Sequence, residues 1–157
     1  MSPVFISKNM IEVDKIKDLC LTALKNREFL VDVKVSRNNE IVVCFDSFDG
    51  LKIERCEELS KYIEENLDRE QEDFSLEVGS PGLSVAFKVI EQYQKNIGKQ
   101  VDIVKKDGTK NRVVLNEVHE NYILVSPLKV KKSKDNKENI DMLKIEFNEI
   151  KSTKLVF

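Results

Sequence analysis

Near the middle of the chain Phe74, Leu76 and Val78 alternate with Ser75, Glu77 and Gly79, and the alternation ends abruptly in Ser80-Pro81-Gly82-Leu83. Period two is the pattern of a strand with one face buried. Pro81 has no N–H to offer a ladder, Gly82 is free to take positive φ, and Ser80, preceding a proline, is pushed out of the helical region. A buried strand running into a rigid turn is therefore expected, and if Gly82 is left-handed there a side chain at that position would be strained. The turn is no phosphate cradle, since it lacks the several glycines and the lysine of one. A plain Pro-Gly turn fits it, and so does a fixed hinge between two domains. The residues on its two sides follow different periodicities.

Before the turn, residues 10–25 place Met10, Ile16, Cys20 and Leu24 on one helical stripe, and Asn26 is a suitable left-handed terminator. Phe29, Val31, Val33 and Val35 then alternate with Asp32 and Lys34. Residues 37–40 read as a hairpin loop, and Ile41, Val43 and Phe45 as the return strand. A second helix over residues 53–67 carries Ile53, Cys56, Leu59, Ile63 and Leu67 at spacings of three and four. Its other faces hold Glu57, Glu58, Glu64 and Glu65, which suit simple solvation or the docking of a basic partner. The order α-β-β-α-β predicts an α+β fold, a two-layer N-terminal domain with helices on a small sheet.

After the turn, residues 85–96 predict a short helix ending at Gly98, and then strands alone. Lys106-Asp107-Gly108-Thr109 is a strong hairpin signal. Residues 112–118, 122–130, 140–147 and 151–156 are further strands. Residues 131–139, which contain no apolar side chain, read as a mobile hairpin tip. Five short strands with tight turns predict a small closed barrel.

Composition narrows the function. Of the 157 residues 41% are hydrophobic and 34% charged, with no apolar run near the roughly 18 residues needed to span a bilayer. No signal-peptide core is present, so a cytoplasmic protein with no membrane role is expected. Cys20, Cys44 and Cys56 lie among apolar neighbours and read as reduced core residues. His119 is the sole histidine and stands near no nucleophile motif. No zinc ligand set and no catalytic constellation is expected. The charge is unevenly spread: residues 1–92 hold 12 Lys and Arg against 19 Asp and Glu, a net of −7, and residues 93–157 hold 14 against 9, a net of +5. Two surfaces with different partners are implied.

The string Leu76-Glu77-Val78-Gly79-Ser80-Pro81-Gly82-Leu83 is followed by Tyr93-Gln94-x-x-Ile97-Gly98-Lys99-x-Val101. The close of the chain runs from Ile145-Glu146-Phe147 through Ile150 and Lys154-Leu155-Val156. In this order the segments resemble the bacterial ribosome maturation factor RimP family over nearly the whole chain. The resemblance implies an N-terminal α+β domain at residues 1–83, a linker with a short helix at 84–98 and an Sm-like/SH3-like barrel at 99–157. It implies a non-enzymatic factor that binds the small (30S) ribosomal subunit and promotes its assembly, as a monomer, touching ribosomal protein S12 and 16S rRNA. It brings no catalytic residue, metal or cofactor. Ser84 and Val85 stand where the family usually has Asp-Arg, so a contact made through that arginine is either lost here or taken over by the nearby Lys88.

Charge complementarity supplies the candidate residues. Lys105, Lys106, Lys110, Arg112, Lys129, Lys131, Lys132 and Lys134 would face RNA phosphate, and Glu57, Glu58, Glu64 and Glu65 a basic protein. An alternative from another class is a stand-alone Sm-like RNA chaperone working as a ring, which oligomeric state would distinguish.

Overall fold

A computed structural model describes residues 11–82, 85–128 and 142–156. The chain divides into two compact units, residues 1–81 and 82–157. Counted over these units, the sequence charge is again −7 and +5.

The first unit runs α1 (Val13–Ala23), β1 (Glu28–Val35), β2 (Glu40–Ser47), α2 (Ile53–Glu65), β3 (Ser75–Gly79). Its sheet has the order β1-β2-β3, with β1 antiparallel and β3 parallel to β2. A parallel pair needs a crossover, and α2 provides it. Ile16 and Cys20 of α1, Leu59 and Ile63 of α2, and Ile41, Val43 and Phe45 of β2 close one core. The stripes of both helices therefore behave as their spacing requires, except that Ile53, the first residue of α2, is 73% exposed; Met10 lies outside the described residues.

Several details depart from the sequence reading. Helix α1 ends at Ala23, and the left-handed residue after it is Arg27 (φ 71°), not Asn26. Strand β1 does not present one continuous face. Its register shifts between Leu30 and Asp32, so Leu30 faces Phe45 while Phe29 pairs with Asp46. One inserted residue flips the alternation. Leu30, Val33 and Val35 accordingly join the core, and Phe29 packs against Phe48, ring centres 5.0 Å apart. Cys44 falls on the sheet face opposite Val43 and Phe45, so it is no core cysteine. Cys20 is buried, which pushes its thiol up to about 11, and all three cysteines are free.

The strand expected to be buried before the Ser-Pro-Gly turn, β3, is an edge strand and only half-buried; Phe74 just before it is the buried anchor. Gly82 does not take positive φ, so the expected left-handed strain is absent there. The turn closes instead through the Val85 N–H, which donates to the Gly82 carbonyl at 3.2 Å.

The second unit contains α3 (Ile90–Lys95), β4 (Gln100–Lys105), β5 (Lys110–Val118), β6 (Tyr122–Pro127), β7 (Leu143–Glu146) and β8 (Ile150–Leu155). The strands form one antiparallel sheet in the order β7-β6-β5-β4-β8. In a flat sheet β7 and β8 would lie about 19 Å apart, at roughly 4.8 Å per strand. Only one 3₁₀ turn, Phe147–Glu149, joins them, and such a turn advances about 6 Å. The sheet must coil until its edges approach. No ladder joins β7 to β8 among the described residues, so the pairings form a coiled open sheet rather than the closed barrel expected. With β7 only four residues long and a helical turn at the corner, the edges have little backbone with which to pair. The expected mobile tip at 131–139 lies outside the described residues.

Helix α3 belongs to this unit. Tyr93 is buried with Val101, Ile103, Leu115 and Ile123, its hydroxyl donates to Thr153 Oγ1 at 2.8 Å, and Phe87 and Phe147 meet its ring edge-on. The Phe87 N–H donates to the Thr153 carbonyl at 2.8 Å. Past the helix, Gly98 takes φ +90° and its N–H reaches the Leu115 carbonyl at 2.7 Å. A fragment of residues 82–157 is accordingly expected to fold by itself. A fragment of 99–157, without Phe87 and Tyr93, should lose on the order of 3–5 kcal/mol for the buried aromatic alone. Circular dichroism and urea melts of the two fragments check this; equal stability would show that α3 is dispensable.

Candidate nucleic-acid interface

The β4–β5 hairpin is a rigid mount for cations. Gly108 (φ +91°) makes the reversal that a side chain would resist, and its N–H donates to the Lys105 carbonyl at 2.9 Å. The Lys105 N–H donates to the Thr109 carbonyl at 2.8 Å, and the Thr109 N–H to Asp107 Oδ1 at 2.8 Å. Thr109, through its hydroxyl and then its N–H, holds the Asp107 carboxyl below the usual range. The Lys106 N–H donates to the Glu149 carbonyl at 2.9 Å, which fixes the hairpin to the 3₁₀ turn. Lys106 and Lys110 stand exposed on this mount, and Lys105 is half-buried.

Arg112 is placed differently. Its Nε and Nη2 donate to Asp102 Oδ1 and Oδ2 at 2.8 and 3.1 Å, a bidentate pair across β4 and β5. The guanidinium hydrogen bonds hold the Asp102 carboxyl below its ordinary range. Half of the Arg112 fork is thereby occupied. Lys129, Lys131, Lys132 and Lys134 lie outside the described residues.

The same register brings together four residues that sequence reasoning missed, Asp102, Val104, Ser152 and Lys154. Asp102 faces Arg112 on β5 and Lys154 on β8; Val104 faces Lys110 on β5 and Ser152 on β8. Since Val101, Ile103 and Thr153 point into the core, Asp102, Val104, Ser152 and Lys154 point out. Together they line a groove across three strands. No short motif marks it, because its members are about 50 residues apart and meet only through pairing.

A second surface arrangement was also missed. His119 stacks on Tyr122 with ring centres 4.4 Å apart, its Nε2 lies 2.9 Å from Glu117 Oε1, and Lys144 Nζ sits 4.5 Å from the Tyr122 ring centre. Glu117 and Glu146 share that side of the sheet, which makes it less hospitable to phosphate than the groove.

In the first unit Glu57, Glu58, Glu64 and Glu65 are all exposed on α2. They are not equivalent. Glu58 is held by Arg55 Nη1 at 2.8 Å and by Lys25 at 3.6 Å, and Glu64 by Arg69 at 3.3 Å. Arg55, chiefly by its hydrogen bond, keeps the Glu58 carboxyl below the usual range. Glu57 and Glu65 enter no ion pair among the described residues. Ser80, Pro81 and Gly82 follow the edge strand at the surface, and Leu83 lies outside the described residues. Among the described residues no cluster of His, Cys, Asp and Glu is placed to hold a metal, and no helix is long and apolar enough to cross a membrane.

Residues 22–84 match the family model described as the RimP N-terminal domain, which spans the end of α1 through the Ser-Pro-Gly turn. A ribosome maturation factor RimP of Flavobacterium psychrophilum is 35% identical over 129 residues, 78% of this chain and 83% of that protein. The chain belongs to the RimP family. A RimP of Cytophaga hutchinsonii is 34% identical over 141 residues, covering 82% of this chain and 84% of its own length. One of Christiangramia forsetii is 39% identical over 101 residues, 64% and 65% of the two chains. The alignments with the first two are longer than the first unit, so RimP kinship reaches into the coiled sheet as well as the helical layer.

Proposed function

We propose that the protein is a ribosome maturation factor that binds the small (30S) ribosomal subunit and promotes its assembly without catalysing a reaction. In this reading the acidic first unit faces a basic ribosomal protein, S12, and the basic second unit faces 16S rRNA. The second unit is read as an Sm-like/SH3-like barrel, on the strength of its five-strand order and the single 3₁₀ turn joining the two outer strands. The protein acts as a cytoplasmic monomer, in keeping with family membership. The observation that carries the proposal is the charge division, −7 against +5, which coincides with the division into two units. RNA is a dense polyanion, so the second unit is attracted and the first repelled.

The experiment is a paired charge reversal. Lys105, Lys106, Lys110 and Lys154 to Glu is expected to weaken binding to purified small subunits and to RNA by tenfold or more, on the order expected for losing several phosphate contacts at low salt, with the difference shrinking as salt rises. Glu57, Glu64 and Glu65 to Lys is expected to weaken binding to isolated S12 and to leave RNA affinity little reduced. Glu58 is spared because it supports Arg55. If the lysine variant binds RNA and subunits as the parent does at every salt, the second unit is not the RNA-facing half.

A further inference from the structure

We infer that the outward face of β8, β4 and β5 is a track for a nucleic-acid phosphate backbone, with Lys110 and Lys154 as its phosphate contacts and Ser152 as a neutral donor between them. The inference rests on the reading of the second unit as the RNA-facing half, and moves the contact from the loop tips to the sheet surface.

Three observations support it. First, the groove gathers Lys110, Arg112 and Lys154 around a single carboxylate, Asp102, so it carries a net charge of about +2. Second, that carboxylate is already engaged. Both its oxygens accept from Arg112, and Lys154, its register neighbour on the other side, lies beyond ion-pair distance of it. Neither Lys110 nor Lys154 enters an ion pair among the described residues. Third, the track is built on strands. Lys154 and Arg112 lie one strand to either side of Asp102, roughly 10 Å from each other in the pairing direction, and Lys110 and Ser152 repeat the arrangement two residues along. A row of two cations on β5 and a row of one cation and one hydroxyl on β8, held at a fixed spacing, suit an extended polyanion better than a single compact anion, and they contact backbone without reading bases.

The test compares two neutralised pairs, Lys110→Gln with Lys154→Gln and Lys105→Gln with Lys106→Gln, by fluorescence anisotropy on a mixed-sequence single-stranded RNA across a salt series. Each lost phosphate contact on a single strand should flatten the slope of log affinity against log salt by about 0.7, so the groove pair should flatten it by about 1.4. The loss should be the same on a second RNA of unrelated sequence, and thermal melts should stay unchanged. Asp102→Asn acts in the opposite direction: it removes a negative charge beside the track while its amide oxygen still accepts from Arg112, so binding should tighten several-fold. A groove pair that binds with the parent's affinity and slope, while the hairpin pair binds more weakly, overturns the track and leaves the RNA reading standing. A parent with no salt-dependent RNA binding overturns both. Weaker binding by Asp102→Asn would overturn the placement of phosphate beside that residue.

Discussion

Arg55→Met is expected to lower the stability of the first unit by about 3 kcal/mol at neutral pH, a fall in melting temperature of roughly 12 °C or more for a unit of this size. Arg55 is the hub beneath the helical layer. Its Nε and Nη2 donate to the two Glu28 oxygens at 2.7 Å each, its Nη1 donates to Glu58 at 2.8 Å, and Nη2 also reaches the Ala23 carbonyl at 3.4 Å. It thus ties α2 to the start of β1 and to the end of α1. The Glu28 side chain is only 6% exposed and that of Arg55 16%, so removing the guanidinium strands a carboxylate away from water. Breaking a fully enclosed pair costs about 3–5 kcal/mol, and the open Glu58 side puts this one at the lower end.

The pH dependence has a definite sign. The hydrogen bonds from Arg55, opposed by burial, hold the Glu28 carboxyl below its ordinary value in the folded unit. A lowered folded value means stability present above the unfolded value, about 4.3, and lost as pH falls through the folded one. In Arg55→Met the stranded carboxyl is relieved by taking a proton. The gap between parent and variant should therefore be widest near neutrality and narrow below about pH 4. Urea melts from pH 3 to 7 check this; a gap of constant size would mean that Arg55 acts by packing its stem alone.

Asn39→Ala is expected to cost about 3 kcal/mol. Asn39 is 6% exposed and left-handed, φ 56°. Its Oδ1 accepts from the Ile11 N–H at 2.9 Å, its Nδ2 donates to the Asp73 carbonyl at 3.3 Å, and its carbonyl accepts from the Ser75 N–H at 3.1 Å. One side chain thus joins the segment before α1, the β1–β2 hairpin and the entry to β3. Alanine leaves a buried N–H without its partner, which costs about 1–3 kcal/mol, and adds the penalty of a left-handed Cβ with no local hydrogen bond. Asn39→Gly should recover only the backbone part, and Asn39→Asp should keep the acceptor for Ile11. The expected order of stability is parent, Asp, Gly, Ala. Glycine matching the parent in a chemical melt would show that the conformation matters and the hydrogen bonds do not.

Both residues looked ordinary in the sequence. Arg55 read as one charge on an amphipathic helix and Asn39 as one polar residue of a hairpin loop, because the partners that make them buried ties, Glu28 and Ala23 for Arg55 and Ile11 and Asp73 for Asn39, lie 27 to 34 positions away. Period and turn chemistry, by contrast, act over a few residues. They alone determined most of the apolar stripes of α1 and α2, the β1–β2 and β4–β5 hairpins and the presence of a short helix before Gly98, although that helix runs only over Ile90–Lys95 and not from residue 85; the division of charge is read directly from the sequence. The tertiary structure decided what depends on pairing. The inserted residue in β1 turned Phe29 from the core to Phe48, since a strand's alternation holds only while its register does. Strand β3 became an edge, and the sheet coiled without a ladder to close it, because strand order is set by which backbones meet. The groove on β8, β4 and β5 belongs to the same class. Lys110 and Lys154 are 44 residues apart in the sequence and share a surface only because β4 lies between their strands. Short-range periodicity carries no information about that neighbourhood.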